Sequence, residues 1–248
     1  MPRKPRKKSN TGIYHVVFRG INRQQIFEDD EDYERFLFLL KQYRENSGYQ
    51  LYAYCLMPNH IHLLIKEGTE DLGQVFRRIG ASFVYWYNLK YDRTGHLFQD
   101  RYKSEAVEDD AYLLTVVRYI HRNPVKAGLC REPEEYRYSS LAEYEANTLI
   151  DSASILGMTG REEFYRYQHI CSDDMCLDIA EHEKKRLSDQ EVKRMMERTY
   201  HCSNPPEFQA SEKETQEKIL RMLLKEGASL RQVSRLTGAT IGIVRKYN

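Results

Sequence analysis

No apolar run in these 248 residues approaches the roughly 20 needed to cross a bilayer. The N-terminal stretch also lacks the apolar core of a secretory signal. Both absences point to a cytoplasmic chain with no membrane segment. Cysteine is sparse: Cys55, Cys130, Cys171, Cys176 and Cys202 are odd in number and scattered, which argues against a disulfide framework and suits a reducing compartment. Cys171 and Cys176 with His182, or His201 beside Cys202, fit no standard zinc spacing. An excess of one charge sign is missing as well. The net charge is +1, so bulk electrostatics does not announce a nucleic-acid binder. One local exception is the arm carrying Arg3, Lys4, Arg6, Lys7 and Lys8, which reads equally as a phosphate-gripping segment or a solvated tail.

What is present is ordinary in composition, with 30% charged and 41% hydrophobic residues, and long enough for one large domain and a small one. Ile13 to Arg19 is rich in β-branched and aromatic residues and reads as a strand, broken by the basic loop Gly20-Ile21-Asn22-Arg23. Tyr33, Phe36, Leu37, Leu40 and Tyr43 recur at helical spacing from an Asp29 or Asp30 cap to about Asn46. Gln50 to Met57 and the stretch from His60 form a hairpin around Pro58-Asn59. A second helix spans about Asp71 to Tyr91. Its Phe83, Tyr85, Trp86 and Tyr87 are expected to pack in a core rather than stack on bases. A loop from Gly95 leads to a short strand, Lys103 to Val107, and a third helix runs from an Asp109 or Asp110 cap to Asn123, where Pro124 is expected to stop it. This order predicts an α+β fold, an antiparallel sheet with helices on one face, ferredoxin-like or RRM-like.

Two stretches carry chemistry. In Met57-Pro58-Asn59-His60-Ile61-His62-Leu63-Leu64-Ile65 strand alternation puts His60 and His62 on one face, where two imidazoles can share a divalent ion if a third ligand arrives. A bare His-x-His is more often a structural pair, so the second stretch matters. In the third helix Tyr119 and Asn123 lie four apart on one face. A tyrosine hydroxyl is a nucleophile once a metal polarises the electrophile. An Asn oxygen is a competent hard ligand for Mg²⁺ or Mn²⁺. Gln99 and Asp100 stay open as the third ligand, if their loop folds over the sheet. With 19 tyrosines in the chain, a Tyr on an amphipathic helix is by itself usually packing. His15 reads as packing, and His121 as surface or an outer partner of the site.

Taken together and in order, several stretches resemble the HUH-type single-tyrosine transposases, and within them the REP-associated tyrosine transposases. They are Tyr14-His15-Val16-Val17-Phe18-Arg19-Gly20, Cys55-Leu56-Met57-Pro58-Asn59-His60-Ile61-His62-Leu63-Leu64, and Gly95-His96-Leu97-Phe98-Gln99-Asp100-Arg101-Tyr102-Lys103-Ser104. The last two are Arg118-Tyr119-Ile120-His121-Arg122-Asn123-Pro124-Val125-Lys126-Ala127-Gly128-Leu129 and Glu135-Tyr136-Arg137-Tyr138-Ser139-Ser140. The resemblance covers about residues 10–145, and Tyr138 stands where the family commonly has Trp. It implies a metal-dependent single-stranded DNA endonuclease and strand transferase acting on hairpin DNA, REP-like palindromes included. Tyr119 would form a 5′-phosphotyrosine link, and His60, His62 and Asn123 would bind Mg²⁺ or Mn²⁺. Arg19, Arg23, Arg101, Lys103 and the residue 3–8 arm would line the DNA path, in a monomer or homodimer. The alternative is a catalytically silent DNA-binding protein or regulator on the same fold.

Past residue 145 this signal fades. The expected organisation is residues 1–145 as the HUH domain (basic arm 1–10), 146–185 as a linker or peripheral helix, and 186–248 as a small all-α domain. Its end, at about 217–248, follows a helix-turn-helix pattern with Val233 and Val244 as core and Gly238 as the turn. Thr240, Gly242, Arg245 and Lys246 would face DNA, although Gly242 costs about 1 kcal/mol inside a helix.

Overall fold

The computed structural model describes residues 7–146, 149–171, 176–177 and 189–247. Arg3, Lys4, Arg6 and His182 therefore lie outside the described residues. The chain divides into two compact units, Met1–Ile179 and Ala180–Asn248.

The first unit runs β1 (Ile13–Arg19), α1 (Asp30–Ser47), β2 (Gln50–Met57), β3 (His60–Lys66), α2 (Leu72–Lys90), β4 (Lys103–Val107) and α3 (Asp110–Lys126). The strands form one antiparallel sheet in the order β2-β3-β1-β4, the ferredoxin-like arrangement expected from the element order. Local chemistry sets the helix ends. Asp29 and Asp32 form a reciprocal capping box at the start of α1, and Gly48 closes it in the left-handed region at φ 65°. Asp71 caps α2 through Gln74 N–H, and Asp109 caps α3 through Tyr112 N–H at 2.7 Å. Pro124 does not end α3, which continues to Lys126. Only one intrahelical donor is lost so close to the C-terminus, and Ala127 N–H still reaches Asn123 O at 2.9 Å.

Both faces of the sheet carry helix. Phe18 and its register partner Ile61 look toward α1 and α2, where Phe18 meets Phe76 at 5.2 Å and Phe36 meets Phe83 at 5.2 Å between ring centroids. Phe83 and Tyr87 are buried, as core packing requires, while Tyr85 is exposed. The fold class holds with one refinement to helices on a single face, because α3 lies against the opposite side. Its Tyr112 hydroxyl donates to Glu105 at 2.7 Å, and Glu105 is the β4 register partner of His15.

The stretch expected as a linker or peripheral helix carries helices in its described part. After α4 (Glu143–Ala146), residues 149–170 carry α5 (Ser152–Thr159) and α6 (Arg161–Gln168). Fully buried Phe164 of α6 stacks on Tyr144 at 4.3 Å, inside the core of the first unit. A large aromatic on a short helix is more stable buried than exposed, so α6 docks on the helix that offers it a partner.

The second unit is all-helical among its described residues: α7 (Asp189–Tyr200), α8 (Pro205–Ala210), α9 (Lys213–Lys225), α10 (Leu230–Thr237) and α11 (Ile241–Arg245). Val192, Met196, Phe208, Ile219, Leu223, Val233 and Val244 make its core. Ser229 caps α10 in a capping box, Gly238 turns the chain at φ 72°, and Thr240 caps α11 through Ile243 N–H. No helix of the described residues is long and apolar enough to cross a membrane.

Candidate active site

The hairpin turn that presents His60 is held by the loop after β1. Gly20 N–H donates to Asn59 O at 2.9 Å, and Ile26 N–H to Pro58 O at 2.7 Å. Only glycine fits at position 20, since a Cβ there would stand 2.2 Å from the Gln24 carbonyl oxygen. Register then puts His60 opposite Met57 and Arg19, and His62 opposite Cys55 and Val17, so both imidazoles share the α3 side of the sheet.

A hydrogen bond fixes one nitrogen of each ring. His60 Nδ1 donates to Asn59 Oδ1 at 2.7 Å, which leaves its lone pair on Nε2. His62 Nδ1 meets His15 Nε2 at 3.0 Å, and those two rings stack at 5.2 Å. His62 Nε2 is buried with no hydrogen-bond partner among the described residues. Burial pushes the His62 pKa well below the usual imidazole range, and His60, His15 and Lys126 add to that shift. A neutral ring with a buried, unsatisfied nitrogen suits a metal donor better than a core histidine, because an orphaned polar atom costs about 1–3 kcal/mol. His60 and His62 lie 4.9 Å apart between centroids, nearly perpendicular at 83°.

Helix α3 supplies the remaining groups. Tyr119, 7% exposed, presents its ring edge-on to His62 at 5.7 Å and to His15 at 5.8 Å. Lys126, two turns on, holds its Nζ 5.7 Å from the Tyr119 ring centroid. Asn123 is buried one turn beyond Tyr119, with its Nδ2 unpaired among the described residues, and no hydrogen bond joins it to either histidine. Gln99 N–H donates to the carbonyl of Arg19 at 2.9 Å, so the Gly95–Ser104 loop passes the same end of the sheet as His60.

The basic residues expected along a DNA path do not all gather at the histidine pair. Arg19 is half-buried beside His60, and Lys103 is exposed on the His62 side of β4. Arg23 sits exposed in the β1–α1 loop at φ 63°. Arg101 is exposed, and with Lys7, Lys8 and Tyr102 it lines a cleft of about 670 Å³. A cleft of about 820 Å³ lies elsewhere, between α2 and the Gly95–Tyr102 loop, and includes neither histidine of the pair. In the second unit Thr240, Gly242, Arg245 and Lys246 are all exposed.

Sequence reading missed three participants. His15 is fully buried and hydrogen-bonded to His62 rather than simply packed. Strand alternation was the available signal, since His15 and Val17 must share a face. Lys126 was legible as Tyr119 plus seven, two helical turns. His121 is wholly buried, not on the surface, between Gln168 Oε1 at 3.0 Å and Ser140 Oγ at 2.9 Å. Nothing local in the sequence points to either partner.

Comparison with known proteins bears on the fold and on the family likeness. Residues 8–123 match the family described as "Transposase IS200 like". A REP-associated tyrosine transposase of Escherichia coli K12 is 23% identical over 135 residues, 54% of this chain and 77% of that protein. A Haemophilus influenzae protein assigned provisionally to the same group is 29% identical over 112 residues, 40% of this chain but only 63% of its own length. In three dimensions the chain is similar to a REP-associated tyrosine transposase solved bound to a REP hairpin, at a TM-score of 0.52 and 19% identity, covering 61% of this chain and 90% of that one. At that identity the likeness speaks for the fold. Residues 8–123 are thus similar to the IS200-like transposase family, and the resemblance to the REP-associated tyrosine transposases stands.

Proposed function

We propose that this chain is a single-stranded DNA endonuclease and strand transferase that acts on hairpin DNA through a covalent tyrosine intermediate. The observation that carries the reading is the convergence of Tyr119 from α3 with the His60–His62 pair from β3. The Tyr119 phenol oxygen attacks the scissile phosphorus, its proton leaves, and the 3′-oxygen departs and is protonated. The product is a 5′-phosphotyrosine link and a free 3′-OH. The reverse attack, by a 3′-OH on the phosphotyrosine, joins strands without a nucleotide cofactor, because the bond energy is kept in the ester. Holding the phenol against a bound phosphate replaces a solution encounter, and a misplacement of about 1 Å can cost roughly 10²-fold in rate.

His60, His62 and Asn123 are the proposed ligands of Mg²⁺ or Mn²⁺, which would offset charge on the non-bridging phosphate oxygens by several kcal/mol. Asn59 fixes the donor tautomer of His60, and burial keeps His62 neutral. Arg19, Arg23, Arg101, Lys103 and the residue 3–8 arm supply cations along the DNA path, with Lys7, Lys8 and Arg101 already gathered on one cleft. The REP hairpin held by the solved relative is the model substrate class. Arg245 and Lys246 of the second unit add a duplex or hairpin contact.

The test is incubation of the purified protein with hairpin-bearing oligonucleotides and Mn²⁺, resolved on a denaturing gel. Wild type should give a covalent protein–DNA adduct that chelator prevents, and Tyr119→Phe should give none while still binding the hairpin. Binding without any adduct from wild type would favour the catalytically silent regulator instead.

A further inference from the structure

We propose that His15 of β1 is the positioning residue for His62: it accepts the Nδ1 hydrogen and so leaves the His62 lone pair on Nε2. The inference rests on the metal-assisted reading above and deepens it.

A neutral imidazole carries one N–H and one lone pair, so whatever engages one nitrogen decides the state of the other. His62 Nδ1 and His15 Nε2 are 3.0 Å apart in a wholly buried contact. Two proton arrangements are open. If His62 donates, its buried Nε2 is a lone-pair donor. If His15 donates, His62 Nε2 bears a hydrogen that meets no acceptor among the described residues. Each arrangement places one buried N–H on the outer ring nitrogen, His15 Nδ1 in the first and His62 Nε2 in the second, and only the first leaves His62 a lone pair for a metal ion. The first is therefore the arrangement competent for the metal-assisted reading.

The neighbouring histidine reaches the same state by a different route. His60 has the Asn59 amide oxygen as its acceptor, supplied by the turn itself at 2.7 Å. His62, one strand repeat further in, is beyond the turn's reach and flanked in register by Cys55 and Val17, of which only the Cys55 sulfur offers a side-chain acceptor, and a weak one. The acceptor has to come from the adjoining strand two residues away, which is where His15 stands. Strand packing alone does not call for a histidine there, since Val16 and Val17 fill the adjacent positions of β1 with fully buried apolar side chains. The ring also stacks on His62 at 28° between planes and meets Tyr119 edge-on, so one side chain sets both the tautomer and the tilt of His62.

The experiment has two arms. In metal-free wild type labelled with ¹⁵N-histidine, long-range ¹H–¹⁵N spectra should show His62 protonated on Nδ1; protonation on Nε2 overturns the proposal whatever any variant does. In the second arm Mn²⁺ is titrated by electron paramagnetic resonance into wild type, His15→Phe and His15→Gln, with thermal unfolding run on each. His15→Phe should bind Mn²⁺ on the order of 10–100-fold more weakly, and His15→Gln, which keeps an acceptor oxygen, should recover most of the loss. A folded His15→Phe with wild-type affinity overturns the proposal. If His15→Phe does not fold, the wild-type spectrum still decides. A His60→Ala control separates the two readings: Mn²⁺ binding unaffected by His60→Ala sinks the metal assignment, while the ring spectrum continues to judge His15.

Discussion

Tyr119 meets His62 edge-on, with ring centroids 5.7 Å apart and planes at 77°. The contact joins the middle of α3 to the centre of β3 within a single chain, and Tyr119 is only 7% exposed. A side chain held in this way has little rotamer entropy left to lose, and its aromatic contacts resist displacement. Helix α3 is in turn clamped from behind. His121, two residues on, is locked between α6 and the segment joining α3 to α4 through Gln168 and Ser140. A rotation of α3 as a whole, carrying Tyr119 out of the pocket, therefore requires breaking buried polar contacts.

Gly20→Ala should unsettle the turn that carries His60. Its Cβ would fall 2.2 Å from Gln24 O, backbone that cannot swing aside as a side chain can. The expected cost is about 1–3 kcal/mol, read as a lower Tm, with Mn²⁺ affinity falling as well because Gly20 N–H holds Asn59 O. An unchanged Tm would show that the loop adjusts freely.

Stability should fall with acid through His121. Burial depresses its pKa from the ordinary 6.5 to about 4. Above pH 6.5 neither folded nor unfolded chain binds the proton, and nothing is lost. Below it the unfolded chain takes up a proton that the folded chain refuses, so stability drops by up to about 1.4 kcal/mol per pH unit until near pH 4. His62, also depressed, adds in the same direction. Urea unfolding at pH 7, 6 and 5 should show a steeper decline for wild type than for His121→Gln, and equal slopes would remove His121 from the account.

Phe164→Ala tests whether residues 149–170 are structural. Deleting a fully buried ring stacked on Tyr144 should cost roughly 3–5 kcal/mol. That corresponds to a Tm fall on the order of 10 °C for the first unit. A peripheral helix would give a change well under 1 kcal/mol.

Arg245→Ala and Lys246→Ala should each weaken hairpin binding without changing which hairpin is preferred. Fluorescence anisotropy across a salt series should show the slope of log K against log salt falling by about 1 for each phosphate contact removed. A slope that stays put in the double variant would leave the second unit without a DNA role.

Much of the site was written locally. Alternation in a strand puts His60 and His62 on one face whatever the rest of the chain does, and the four-residue step from Tyr119 to Asn123 is a property of any α-helix. Caps at Asp29, Asp71 and Asp109 likewise depend on a few adjacent residues, and the helices begin where those residues say. What the tertiary structure alone decided is which distant groups meet: His15 with His62 across a strand pair, Phe164 with Tyr144, His121 with Gln168, and α3 with the bare side of the sheet. Such pairings follow from where large apolar surfaces find cover and buried polar atoms find partners, and that is settled by the packed chain as a whole rather than by any short stretch of it.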